Sequence, residues 1–303
     1  KMVDSLLGGG GQVFFCNSGA EANEAGIKLA RKFGGRGRHK VVSMLGSFHG
    51  RTLAALAATG QPAKHEPFQP MPDGFVHVPF GDIAALDKAV DGSVAAVLVE
   101  CVQGEGGVIP ATNEWLHAVR SLCTERGALM MIDEVQTGFA RTGEWFGFQH
   151  AGVKPDVVML AKAMGNGMPV GALWAPHEIA KVFVPGDHGS TYSGTAIATA
   201  AVCEVINIMR EIDAPRLARE KGELITSRLQ RMPAVKSVRG RGLLLGVELG
   251  EGADAKAKHV ALMERGIGDQ RRHLNGVAFG TPHHGFARRG RRSDGHDGNR
   301  VLS

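Results

Sequence analysis

The stretch VFFCNSGAEANEAGIKLARKF, residues 13–33, sets the fold class. It opens with four apolar or aromatic residues, Val13 to Cys16, that suit a buried strand. A turn of small and polar residues follows, Asn17, Ser18, Gly19 and Ala20, and then a helical pattern with Ile27 and Arg31 one turn apart. The same order of apolar run, turn and helix recurs to about residue 200. VVSML (41–45), VAAVLVE (94–100), ALMMIDE (128–134) and VVMLA (157–161) are near-continuous apolar runs, as expected of strands buried on both faces. NEWLHAVRSLCTERG (113–127) carries Leu116, Val119 and Leu122 at helical spacing. This alternation predicts an α/β fold with a mainly parallel central sheet. In such sheets ligands bind beyond the carboxyl ends of the strands, which singles out the segments CNSGAEA, SFHGRT, ECVQGEGG, DEVQTG and AKAMGNG.

Residues 1–208 are therefore read as one large domain. From Ala196 a long helical stretch, AIATAAVCEVINIMREI, leads to further helix and to VKSVRGRGLLLGVEL, which alternates like a strand. Residues 209–265 are read as part of a smaller C-terminal α+β domain. Residues 266–303 differ from everything before them, with eight Gly, seven Arg and four His in 38 residues and almost no apolar periodicity. Such a composition predicts a disordered tail.

The chain of 303 residues, 43% apolar, suits a globular protein of about two domains. No apolar run approaches the roughly 18 residues needed to span a bilayer, and KMVDSLLGGG lacks the order of a signal peptide. The chain does not begin with Met, so its start is expected to be cut. The four cysteines are scattered without a CxxC pair, which argues against a zinc site or disulfide framework and for a reducing cytoplasm. Of the formal charge of +5, the last 38 residues hold +4, leaving +1 for the rest. A nearly neutral body speaks against nucleic acid as a partner.

Three features could carry chemistry. Ser18, Gly19 and Ala20 lie between a strand and a helix, where small residues and the helix dipole favour an anion. The same residues also fit an ordinary capping box, Ser18 with Glu21, and both can hold at once. Asp133 and Glu134 end a buried strand, where a carboxylate needs a cationic partner. A metal is one candidate, although further ligands at the right spacing are missing; a protonated ring nitrogen is another. Lys162 follows Asp133 by 29 residues and ends another such strand, so strand geometry can bring both to one crevice. Lysines beside apolar segments commonly keep the ammonium in water, but a desolvated lysine has a lowered pKa and attacks carbonyls to form Schiff bases. An anion cradle, a buried Asp and a Schiff-base Lys together describe a pyridoxal phosphate (PLP) site.

VFFCNSGAEANEAGIKLAR, SFHGRTLAALAATGQ, VQGEGGV, IDEVQTG, PDVVMLAKAMGNGMPVGA, HGST and VRGRGLLLGVEL resemble, in order and spacing, the class III PLP-dependent aminotransferases, most closely their acetylornithine-using branch. The resemblance runs from about Gln12 to Arg265. It implies the PLP-dependent transferase fold type I, with Lys162 as the Schiff-base lysine and Asp133 as partner of the pyridine nitrogen. Ser18, Gly19 and Ala20 match the phosphate loop, Phe48 the ring stacked on the cofactor, and Glu134, Val135 and Gln136 the segment lining its other side. Arg51 matches a contact to the substrate carboxylate, and Glu105 a residue partnered by an arginine. Ser190 and Thr191 match residues that reach the neighbouring subunit's site, Thr191 to its phosphate.

The function so implied is transfer of the amino group of N-acetylornithine to 2-oxoglutarate, in arginine biosynthesis, by a cytoplasmic homodimer with shared active sites. No metal, nucleic acid or membrane enters. Alternatives are another ω-amine donor (ornithine, succinylornithine or 4-aminobutyrate), or an incomplete chain that binds PLP but is catalytically crippled. The family's N-terminal segment is absent ahead of Lys1, and nothing after Arg265 resembles its C-terminal NAV…LRLAPPL. Codon degeneracy lets the bases encoding Gly268 to Pro282 be read one position later as VINAVTSTALRLAPP, which predicts a frameshift near Gly268 with the lost arginine falling at Ala278. A genuine disordered tail is the competing expectation.

Overall fold

The structure, a computed structural model, describes residues 1–250, 254–265, 270–272 and 276–280. Seven strands form the central sheet: β1 (Gly11–Cys16), β2 (Lys40–Met44), β3 (Phe75–Val78), β4 (Val94–Val99), β5 (Leu129–Asp133), β6 (Val157–Leu160) and β7 (Gly171–Pro176). Their spatial order is β1-β7-β6-β5-β4-β2-β3. Strands β3, β2, β4, β5 and β6 pair in parallel, whereas β7 runs antiparallel to both β6 and β1. The mainly parallel α/β sheet expected from the apolar runs is thus present. Strands β3 and β7 were not among those runs. FVHV holds a polar His77 and GALWAP begins with Gly and ends with Pro, so neither stands out as an apolar run.

Every residue of β4, β5 and β6 is buried because helices cover both faces. Helix α1 (Gly19–Gly34) turns Ala22, Ala25, Gly26, Ile27 and Leu29 to the sheet. A Cβ on Gly26 would sit 3.1 Å from Met159 Sδ, so a larger residue there would make the methionines beneath it give way. Helix α2 (Asn113–Arg126) starts where Thr112 Oγ1 accepts the Trp115 amide at 3.1 Å and stops at Gly127, whose φ of +64° suits glycine. Its buried face includes Leu116, Val119 and Leu122, as its periodicity predicts. Ile132 in the middle of this core is fully buried. Ile132→Ala should cost about 3 kcal/mol of stability, measured by urea unfolding, because removal of a core side chain leaves a cavity.

Helix α3 (Ala196–Glu211) and helix α4 (Ala214–Gln230) follow. Residue 208 lies inside α3, whose Val202, Ile206 and Met209 belong to the main core on both sides of that point. The alternating segment 235–249 is a hairpin of two strands, β8 (Val235–Arg241) and β9 (Leu244–Leu249), turning at Gly242, φ +54°. Two more strands, β10 (Gln270–Arg272) and β11 (Gly276–Gly280), complete a second sheet of order β8-β9-β11-β10. Residues 276–280 fall inside the stretch expected to be disordered; there β11 pairs with β9 and satisfies an edge that would otherwise leave backbone groups unpaired. Ala278, the proposed place of the lost arginine, stands opposite Gly246 in that ladder. Residues 266–269, 273–275 and 281–303, where the rest of the frameshift reading falls, lie outside the described residues. Among the described residues no helix is long and apolar enough to cross a membrane.

Candidate active site

The carboxyl ends of β5 and β6 lie side by side, because Asp133 pairs in register with Met159. Lys162 follows three residues later, on a single helical turn over Lys162–Met164 with φ +46°. A left-handed backbone at a residue other than glycine costs about 1 kcal/mol and is commonly found at functional positions. The Lys162 side chain is exposed in the isolated chain, so the desolvation expected from its apolar flanks is not supplied by this chain's own fold.

Asp133, by contrast, is buried, and three donors converge on it. Oδ2 accepts from Asn23 Nδ2 at 2.9 Å and from His49 Nδ1 at 2.8 Å, while Oδ1 accepts from the Val135 amide at 3.0 Å. Asn23 also donates to the carbonyls of Gly19 and His49, tying the start of α1 to the loop after β2. Neither Asn23 nor His49 was singled out from sequence. Asn23 is the polar residue on a face otherwise made of Ala22, Ala25 and Gly26, and His49 lies inside the SFHGRT segment between Phe48 and Arg51. The buried Asn23 Oδ1 and His49 Nε2 have no hydrogen-bond partner among the described residues.

A further buried carboxylate, Glu100, ends β4's run and accepts the Phe48 amide at 3.2 Å. Burial pushes its pKa up to about 7, with nearby His49 opposing and Asp133 adding to the rise. A raised acid pKa means the folded state holds the proton more tightly than the unfolded chain. The stabilisation is therefore full below about 4.5 and is lost as pH rises towards about 7. Glu100→Gln should flatten the fall in Tm across that window; a wild-type slope retained in the variant would remove Glu100 as its source.

The α1 start is built as a cap and as an anion cradle. Ser18 Oγ accepts the Glu21 amide at 3.2 Å, and Glu21 Oε2 reaches back to the amide and side-chain nitrogen of Asn17, at 3.0 and 2.8 Å. Helix geometry leaves the Gly19 and Ala20 amides without intrahelical acceptors. Gly19 abuts Val135, since a Cβ there would lie 2.7 Å from Val135 Cγ1. The Gln136 side chain lies against the backbone of Gly104, whose added Cβ would overlap its Oε1. Glu134 has a different task from Asp133. Its carboxylate accepts the amides of Gly147 and Phe148, both at 2.9 Å, and the Thr137 hydroxyl, bracing the following loop from within. Burial holds its pKa above the ordinary carboxylate range.

Phe48 is half buried beneath two cations, Lys64 Nζ at 4.7 Å from the ring centre and Arg51 at 5.7 Å. Lys64 also pairs with Glu105 at 3.3 Å, so the cationic partner of Glu105 here is a lysine. Ser190 Oγ accepts from Asn17 Nδ2 at 2.8 Å within its own chain, at the edge of the α1 start. Thr191 and Tyr192 beside it are exposed. Among the described residues no group of His, Cys, Asp and Glu could hold a metal ion.

A parallel-sheet crevice with a buried Asp, a strand-end Lys and an amide cradle has the fold of the PLP-dependent aminotransferases. The chain belongs to the class III aminotransferases, whose family model matches residues 1–282. It is 50% identical over 246 residues to an acetylornithine aminotransferase of Methanopyrus kandleri, covering 81% of this chain and 63% of that protein. The corresponding enzyme of Gloeobacter violaceus is 47% identical over 268 residues, 84% of this chain and 66% of that protein. The chain thus spans just under two thirds of the length of these relatives. Among solved structures, the ornithine aminotransferase of Toxoplasma gondii superposes with a TM-score of 0.88 at 30% identity, over 93% of this chain and 70% of that one. A second structure of that enzyme is described as having PLP at partial occupancy in its active site. A Bacillus anthracis aminotransferase gives a TM-score of 0.86 at 29% identity, over 93% and 74%.

Proposed function

We propose that this protein is a PLP-dependent transaminase that moves the amino group of N-acetylornithine to 2-oxoglutarate. The observation that carries it is the placement of Asp133 and Lys162 at the carboxyl ends of adjacent strands, in a chain similar to acetylornithine aminotransferases. The residues present fit the cofactor. The Gly19 and Ala20 amides suit its phosphate, Asp133 suits a protonated ring nitrogen, and Phe48 and Val135 offer faces for a flat ring. The unpartnered Asn23 Oδ1 and His49 Nε2 mark this as a polar place still able to make contacts. When bound, PLP supplies a carbonyl that condenses with amines and a ring that accepts electrons from the substrate carbon.

The chain's own residues do the rest. Three donors fix the orientation of the Asp133 carboxylate, which would partner a protonated ring nitrogen of bound PLP. Lys162 would hold the cofactor's carbonyl carbon covalently through Nζ and would move a proton as general base and acid. Arg51 orients a substrate carboxylate through its planar fork. The amine donor is the finer part of this reading, and ornithine, succinylornithine and 4-aminobutyrate are the competitors. Assay of the purified protein with each donor and 2-oxoglutarate tests it: N-acetylornithine should give the highest kcat/KM, and no turnover with any donor would overturn the proposal.

The active form we infer is a cytoplasmic homodimer with shared sites. Exposed Thr191, Tyr192 and Ile197 form a surface suited to a second copy, which would also cover Lys162. Mixing inactive Lys162→Ala chains with inactive Thr191→Ala chains should restore up to about a quarter of wild-type activity, because one site of the mixed dimer draws both intact residues. Full activity in a monomer would exclude sharing.

A further inference from the structure

We propose that a second, anion-binding site lies in the cleft between α4, the turn of the β8–β9 hairpin and the loop carrying Thr142 and His150. Its ligand is a small molecule bearing a carboxylate or phosphate group. The cleft is open to solvent and offers about 470 Å³, room for a metabolite-sized group. Arg219, Arg241 and His150 line it, with the hydroxyls of Thr226 and Ser227, and Glu223 is the sole acid among its described lining. None of these residues belongs to the Asp133–Lys162 crevice, so the inference stands apart from the proposed reaction.

Arg241 is the focus. Its side chain is half buried, and among the described residues it makes one hydrogen bond, Nη2 to Asn113 Oδ1 at 3.0 Å, and no ion pair. A half-buried guanidinium with no ion pair among the described residues suits a carboxylate or phosphate, because its fork fits those groups with two parallel hydrogen bonds. Arg219, by comparison, is already engaged by Glu144 and the Gly143 carbonyl. His150 holds Thr142 through Nε2, and burial, followed by the charge of Arg241, keeps its pKa below the ordinary histidine value.

The walls of the cleft are in close contact. A Cβ on Gly222 would come within 2.1 Å of the Gly242 carbonyl oxygen, and one on Gly242 within 2.5 Å of the Thr142 carbonyl carbon. Helix, hairpin turn and loop therefore touch through their backbones, and the walls cannot close over the space.

The test is calorimetric titration of the purified protein, kept saturated with PLP, with inorganic phosphate in one arm and citrate in the other. One saturable site is expected, with the tighter arm telling phosphate-bearing from carboxylate-bearing ligands. Arg241→Gln should raise Kd about tenfold or more, the scale of a lost charge-assisted contact. Ser227→Glu, at an exposed helix position that tolerates substitution, should do the same by repulsion and decides the matter if Arg241→Gln unfolds. Lys162→Ala should leave Kd unchanged. Absence of saturable binding in both arms, or the same Kd in Ser227→Glu as in the parent, overturns the site.

Discussion

Lys162→Ala should lower transamination by about 10⁴-fold or more, since the same side chain supplies both the covalent attachment and the proton transfer. Its stability should barely change. The side chain is exposed and alanine meets the same left-handed backbone penalty at φ +46° that lysine already bears. Equal urea midpoints with lost turnover would therefore separate chemistry from folding. Lys162→Arg should be as inactive as the alanine variant, because it keeps the charge but is not a nucleophile. The wild-type protein should show a visible absorbance that borohydride removes and that either variant lacks. Some PLP should still bind through the α1 amides and Asp133. Turnover of Lys162→Ala near the parent's rate would assign the reaction to another group.

Asp133→Asn should cost about 10² to 10³ in kcat with a much smaller loss of cofactor affinity, the pattern of an electrostatic interaction that matters most in the transition state. The substitution keeps an oxygen able to accept one of the bonds now made by His49, Asn23 and the Val135 amide. It replaces the other oxygen with a donor that faces donors, so the site loses both its negative charge and part of its hydrogen bonding. His49→Ala should produce a milder version, about tenfold in kcat, by freeing the carboxylate to turn. An unchanged kcat in Asp133→Asn would leave the buried carboxylate with a purely structural role.

The comparison of Asp133 with Glu134 separates what is local from what is not. Both are acids at the end of one apolar strand, and nothing in IDEVQTG distinguishes their tasks. In the fold, alternation along the strand sends Asp133 towards α1 and His49, while Glu134 turns back to hold Gly147 and Phe148. Ser190 similarly rests on Asn17, more than 170 positions earlier in the chain.

Strand and helix identity, the parallel sheet, the capped start of α1 and the strand-end positions of Asp133 and Lys162 were legible in the chain alone, because each depends on a periodicity or a turn a few residues long. The partners of those residues were not. Asn23 and His49 reach Asp133 across separations of 110 and 84 residues, Lys64 finds Glu105 across 41, and β11 closes the edge of β9 although its composition suggested disorder. The exposure of Lys162 was likewise decided in three dimensions. Burial, charge pairing and edge pairing depend on which surfaces the packed sheet brings together, and that is a property of the tertiary structure rather than of any local run of residues.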